Sequence, residues 1–142
     1  MKLLITLLMV TLSPAGVAQD IEWDNQSVIN EDIDCDGIKD TARIGYTGDD
    51  VTVEVSTSTN NNVSSLTFGL DDPNRQDALC SRMATFTTIE SDTGALIEIF
   101  GEAPAGYKSK KGCFDLDLAG GECDSINLFW NHETNSLDWW RL

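Results

Sequence analysis

Val51-Thr52-Val53-Glu54-Val55-Ser56 alternates apolar and polar residues without a break. An extended backbone has period two, so Val51, Val53 and Val55 share one face, the pattern of a half-buried strand. Working outward, Asn60-Asn61-Asn62 supplies turn residues, and residues 63–70 form the expected hairpin partner. Upstream, residues 41–46 read as a strand. Downstream, residues 84–89 are rich in Thr and β-branched residues, and Thr93-Gly94 turns the chain into a further strand over 95–100. Residues 113–118 alternate again, and 126–130 and 137–142 flank a turn over 131–136. Eight candidate strands with short connections predict an antiparallel all-β domain. Only residues 77–83 have a helical look. The longest expected loop, 101–112, carries Lys108, Lys110 and Lys111, the main positive cluster of the chain.

That chain is acidic. Its 142 residues hold 24 Asp plus Glu against 9 Lys plus Arg, a formal charge of −15. Such a surface repels phosphates, which argues against nucleic acid and against anionic membranes as partners. It favours cations and basic proteins. The length fits one domain.

Residues 1–18 read as a removable export signal. Lys2 gives a positive start, residues 3–12 are apolar, and Gly16-Val17-Ala18 offers small residues for cleavage after Ala18. Roughly ten apolar residues are too few to span ~30 Å of hydrocarbon as a helix. Residues 19–142 would then form a single exported domain, expected in the periplasm. Export favours disulfides. Cys35, Cys80, Cys113 and Cys123 allow three pairings. The preferred one is Cys35–Cys80 with Cys113–Cys123, because Gly120-Gly121 could turn the short loop. No C-x2-C spacing suggests a zinc site.

The sharpest motif is Asp32-Ile33-Asp34-Cys35-Asp36-Gly37-Ile38-Lys39-Asp40, which reads D-x-D-x-D-G-x-x-D. Calcium takes six to eight oxygen ligands at ~2.3–2.6 Å. Asp32, Asp34 and Asp36 could curl round one ion. Gly37 permits the sharp turn, Ile38 could give its carbonyl, and Asp40 adds a carboxylate directly or through water. An EF-hand is excluded, since position 12 is Arg43 and a strand pattern follows.

This run, with Thr41-Ala42-Arg43-Ile44-Gly45-Tyr46 after it, resembles the calcium loop of FG-GAP or VCBS-type repeats. Those repeats set the loop between strands of propeller blades. The chain has one copy, with Cys35 where a small residue is usual, and is too short for four blades. The resemblance therefore implies a propeller-blade-like sheet or a compact sandwich. Arg75-Gln76-Asp77-Ala78-Leu79-Cys80, Gly121-Glu122-Cys123-Asp124-Ser125-Ile126-Asn127-Leu128-Phe129-Trp130-Asn131 and Leu137-Asp138-Trp139-Trp140-Arg141 are similar to small exported bacterial proteins, including periplasmic immunity proteins that block lysozyme-like toxins. That likeness implies a non-enzymatic inhibitor of a basic peptidoglycan hydrolase or another secreted toxin. Such inhibitors often use Ser-Gly leading to Tyr; here the nearest approach is Ala105-Gly106-Tyr107.

The residues themselves offer little for catalysis. His132 is the single histidine and falls in a polar turn, and no Ser or Cys sits in a recognisable nucleophile elbow. Tyr107, Trp139 and Trp140 are the nominated partner-binding residues, since aromatic anchors dominate many interfaces. Alternation sends Trp139 and Trp140 to opposite faces. The alternative expectation is a calcium-stabilised module that binds glycans or a surface partner.

Overall fold

A computed structural model describes residues 20–70 and 75–142. The expected leader lies outside them. In chain order the elements are β1 (Glu22–Trp23), β2 (Ile29–Glu31), β3 (Asp40–Thr47), β4 (Asp50–Ser56), β5 (Val63–Gly69), β6 (Ala84–Glu90), α1 (Thr93–Phe100), β7 (Phe114–Gly120), β8 (Ile126–Asn131) and β9 (Ser136–Trp140). They form two antiparallel sheets. The first runs β1-β3-β4-β5, with β2 also paired to β3; the second runs β6-β7-β8-β9. Each half of the chain therefore builds its own sheet from neighbouring strands, and neither sheet closes into a barrel.

The alternation quoted above decides the register. Val51, Val53 and Val55 stand opposite Tyr46, Ile44 and Ala42 on β3, and opposite Phe68, Leu66 and Ser64 on β5. All three valines are buried in one core with Ile44 and Phe68. The second sheet answers with Leu116, Leu118, Ile126, Leu128, Trp130 and Leu137. Two apolar faces meet in a sandwich, as their burial from water requires. Phe68 and Trp139 touch edge to face across it at 6.3 Å, and Ser64 Oγ accepts from Leu137 N at 2.9 Å.

β8 is buried along its whole length. Ile126, Leu128 and Trp130 face the core, so Asn127, Phe129 and Asn131 face the other side. There α1 and the loop after it form a cover. The Tyr107 ring meets Phe129 at 5.3 Å, and Phe100 meets Trp140 at 5.3 Å. Trp139 and Trp140 thus point to opposite faces, as alternation requires.

Three expectations are corrected. Residues 95–100 are helix, not strand. Asp92 caps α1 by accepting from Gly94 N and Ala95 N, and Gly101, at φ 84°, ends it by donating to Ile97 O. The run Leu96-Ile97-Glu98-Ile99-Phe100 breaks strict alternation, and the caps decide the matter. Residues 77–83 are not helical. Leu79 makes a parallel bridge to Leu70 there. The disulfides are Cys35–Cys113 and Cys80–Cys123, not the preferred pairing. The seven residues of β7, followed by Gly121 and Glu122, separate Cys113 from Cys123. At about 3.3 Å per residue that strand spans over 20 Å, far beyond the ~7 Å that a disulfide bridges. Observed Cα separations are 5.0 and 5.6 Å. Two disulfides fit an oxidising compartment. Among the described residues no helix is long and apolar enough to cross a membrane.

Phe68→Ala should cost about 3–5 kcal/mol, the usual range for emptying a large aromatic site in a core. Met83→Ala, at a side chain 89% exposed, should stay within about 0.5 kcal/mol. Urea denaturation of both variants measures the contrast.

Candidate metal centre

The acidic motif occupies the loop between β2 and β3. Two of its residues have positive φ, Cys35 at 61° and Gly37 at 95°. These turns curl the backbone, and its N–H groups then point inward to the carboxylates. Ile33 N and Asp34 N both donate to Asp40 Oδ2, at 2.9 and 3.1 Å. Asp40 Oδ1 accepts from Ser58 N at 2.9 Å, so the β4–β5 turn is drawn in as well. Gly37 N donates to Asp32 Oδ2 at 2.9 Å, and Asp36 N to Asp34 Oδ1 at 3.1 Å.

The result is a concentration of negative charge in a sheltered place. Asp40 is 1% exposed and Asp32 8%. One carboxylate oxygen from each of Asp32, Asp34 and Asp40 lies within 4.8 Å of the other two. Unit charges at that spacing repel by about 3 kcal/mol at an effective dielectric near 20. Burial first, then Asp40, and more weakly Asp36 and Asp32, push the Asp34 carboxyl up to about 6. Asp32 Oδ1 is buried and has no hydrogen-bond partner within the protein. A buried carboxylate oxygen left bare is costly, and a cation is one group that relieves it. Oxygens bound to one calcium at ~2.4 Å stand no more than about 4.8 Å apart, so the triad has the span such an ion needs.

Of the residues that the motif singled out, Asp32, Asp34 and Asp40 come together. Asp36 is exposed and outside that triad, at its edge beside Asp34. One of its oxygens accepts from Ile38 N at 2.7 Å, and the other from Thr59 Oγ1. These bonds, with the Lys110 ammonium nearby, hold its carboxyl below the usual range. The long loop thus brings a lysine to the outer rim of the motif. Ile38, expected to give its carbonyl, is exposed and uses its N–H on Asp36.

The loop is also moored to the second sheet. Phe114 N donates to Asp32 O at 2.9 Å, and Cys35 is bonded to Cys113. Behind this junction lies a polar network that the sequence did not announce. Asp115 accepts from Ser91 Oγ at 2.7 Å and from Tyr107 Oη at 2.6 Å, while Asp92 N donates to Tyr107 Oη at 3.1 Å. Burial raises the Asp115 carboxyl, against the two hydroxyls that lower it. Burial, helped by Asp115, also pushes the Tyr107 phenol up. Asp115 and Tyr107 are eight residues apart in chain and each looked ordinary alone.

The nominated partner residues are therefore differently placed. Tyr107 is half-buried with its hydroxyl engaged. Trp139 packs against the core. Trp140 lies on the opposite face, beside a cleft of about 440 Å³ lined with Phe100, Glu102, Ala103, Pro104 and Ala105. His132 is half-buried; burial first and then Lys108 keep its imidazole below its ordinary value, and its Nε2 has no partner. Compared with family models, curated proteins and solved structures, the chain matches none. The FG-GAP and VCBS resemblance accordingly rests on the motif residues.

The pH dependence of the metal-stripped protein follows. Asp34 holds its proton in the native state to about pH 6, but in the unfolded chain only to about 3.8. Between these values the native state binds more protons, so this group's contribution to stability falls as pH rises. Asp34→Asn should therefore gain on the wild type progressively from pH 4 to 6 and keep that gain above. Urea midpoints of both proteins across pH 4–7 provide the comparison.

Proposed function

We propose that the protein is an exported, calcium-stabilised binding protein, with Asp32, Asp34 and Asp40 as the carboxylate core of its ion site. The observation that carries this reading is Asp32, whose buried Oδ1 has no partner and whose carboxylate offers an oxygen within 4.8 Å of oxygens from Asp34 and Asp40. Calcium is favoured over zinc because the donors are hard oxygens with no histidine or free thiol among them. It is favoured over magnesium because a curled loop of carboxylates suits a flexible, oxygen-rich shell. Asp36, Ile38 and water would complete that shell.

The binding role follows from charge. A formal −15 over 142 residues gives a field that attracts basic partners. The partner we propose is a basic cell-wall hydrolase, held and blocked in the periplasm in the manner of the immunity proteins that the sequence resembles. The sequence supports binding rather than catalysis, since its single histidine falls in a polar turn and no Ser or Cys sits in a recognisable nucleophile elbow. A second reading, glycan binding, draws on the aromatic cleft at Trp140 and Phe100.

Calorimetry on metal-free protein should record calcium binding, and Asp32→Asn should abolish it. With a Kd of ~10⁻⁴ M, about 1 mM calcium should add ~1.4 kcal/mol of stability and raise the Tm. A Tm unchanged between EDTA and excess calcium would refute the site.

For the partner, surface plasmon resonance against a basic lysozyme-type hydrolase gives the measurement. Raising salt from ~20 to ~300 mM should lower the on-rate far more than it raises the off-rate. A salt-insensitive on-rate contradicts the proposal, and retention on immobilised peptidoglycan fragments without hydrolase binding favours the glycan reading.

A further inference from the structure

We propose that the cation site and the Cys35–Cys113 disulfide are coupled: the disulfide sets the affinity of the loop for the cation, and the bound cation protects that disulfide from reduction. This rests on the cation reading above.

The coupling comes from where the bond is placed. Cys35 sits between Asp34 and Asp36 in the acidic loop and holds a φ of 61°, a conformation that non-glycine residues seldom adopt. Its partner Cys113 is 1% exposed and immediately precedes β7. The next residue, Phe114, donates its N–H to the carbonyl of Asp32. Two ligating carboxylates, Asp32 and Asp34, thus belong to a segment tied twice to the second sheet within four residues. The third, Asp40, belongs to β3 of the first sheet. The segment is thus held on one side to Asp40, through the N–H groups of Ile33 and Asp34, and on the other to the second sheet, and the disulfide is the covalent part of what fixes it there. Without that tie, the cation must itself order the loop, at a cost in conformational entropy that lowers affinity.

Linkage makes the effect reciprocal. If the closed disulfide raises cation affinity by some factor, the cation shifts the thiol–disulfide equilibrium toward the closed bond by the same factor. The chemistry is ordinary exchange. A thiolate of a small dithiol attacks one sulfur of the pair and forms a mixed disulfide; its second thiol then closes a cyclic disulfide. The dithiol is oxidised by two electrons, and Cys35 and Cys113 leave as two protonated thiols.

The protein carries its own control. Cys80–Cys123 joins the segment before β6 to the β7–β8 turn, at the other end of β7 from the acidic loop. Cys80 is exposed. Calcium should leave this second bond unaffected beyond any change in global unfolding.

The test equilibrates the wild-type protein in graded dithiothreitol buffers, with calcium or with EDTA. Free thiols are trapped by alkylation and assigned by peptide mass. Calcium should raise the reduced-to-oxidised dithiothreitol ratio needed to half-open Cys35–Cys113 by about 5- to 150-fold, the usual range of coupling between sites. Cys80–Cys123 should not move. In parallel, calorimetry on Cys35→Ser/Cys113→Ser should find calcium affinity reduced by the same factor. If wild-type protein binds calcium with heat but both disulfides respond equally, or neither responds, the coupling is overturned and the site stands. If wild-type protein binds no calcium at all, the site reading falls and the coupling with it. The wild-type redox measurement decides the matter even where the double variant does not fold.

Discussion

The carboxylate of Asp40 collects three backbone N–H groups, from Ile33, Asp34 and Ser58, in a place almost closed to water. The arrangement of the whole loop follows from that one acceptor. It draws the start of the acidic loop back toward β3, brings the β4–β5 turn over it, and so places Asp32 and Asp34 near a third negative charge. Asp40 is thereby the anchor beside which Asp32 and Asp34 are packed. Burial first, and then Asp40 beside it, make Asp34 hold its proton more tightly. Asp32 is left with one oxygen bare. A fold that buries such charge without a counter-charge would pay several kcal/mol for nothing, and a divalent cation turns the same geometry into a gain.

The second sheet matters because the loop does not stand on the first sheet alone. Each half of the chain could form its sheet from local hairpins, but the faces must then find each other. The shared apolar core supplies most of that drive, through Val53, Phe68, Leu118 and Leu128. Directional contacts set the alignment: Phe68 on Trp139, Ser64 on Leu137, Asp32 on Phe114. Both disulfides join the first half of the chain or its connector to the second half. The acidic triad lies at one of these seams, beside the Cys35–Cys113 bond and the Asp32–Phe114 hydrogen bond.

Much of this was legible in the residues. Strict alternation around Val53 and again around Leu116 marked strands, since period two has no other simple cause. The D-x-D-x-D-G-x-x-D run marked the loop, and Gly37 turns there as its position in the motif requires. What was not legible depended on three-dimensional neighbours. The helix Thr93–Phe100 was missed because its apolar run suits either period, and only Asp92 and Gly101 at its ends carried the signal. The disulfide pairing was missed because short loop length was weighed above the rigidity of the strand between Cys113 and Cys123. Ser58 and Thr59 could not be read as parts of the site, because a hairpin turn 18 residues after Asp40 brings them there. Ser91 meets Asp115 through the β6–β7 pairing, and Tyr107 joins them only because the loop after α1 folds back.

The proposed cation would sit among Asp32, Asp34 and Asp40. A crystal structure grown in calcium, with anomalous scattering recorded at long wavelength, tests it most directly. An anomalous peak is expected within ~2.3–2.6 Å of Asp32 Oδ1 and of oxygens from Asp34 and Asp40, completed to six to eight oxygen ligands. A calcium-grown structure in which that point is filled by a water bonded to Asp32, with no anomalous signal, would contradict it.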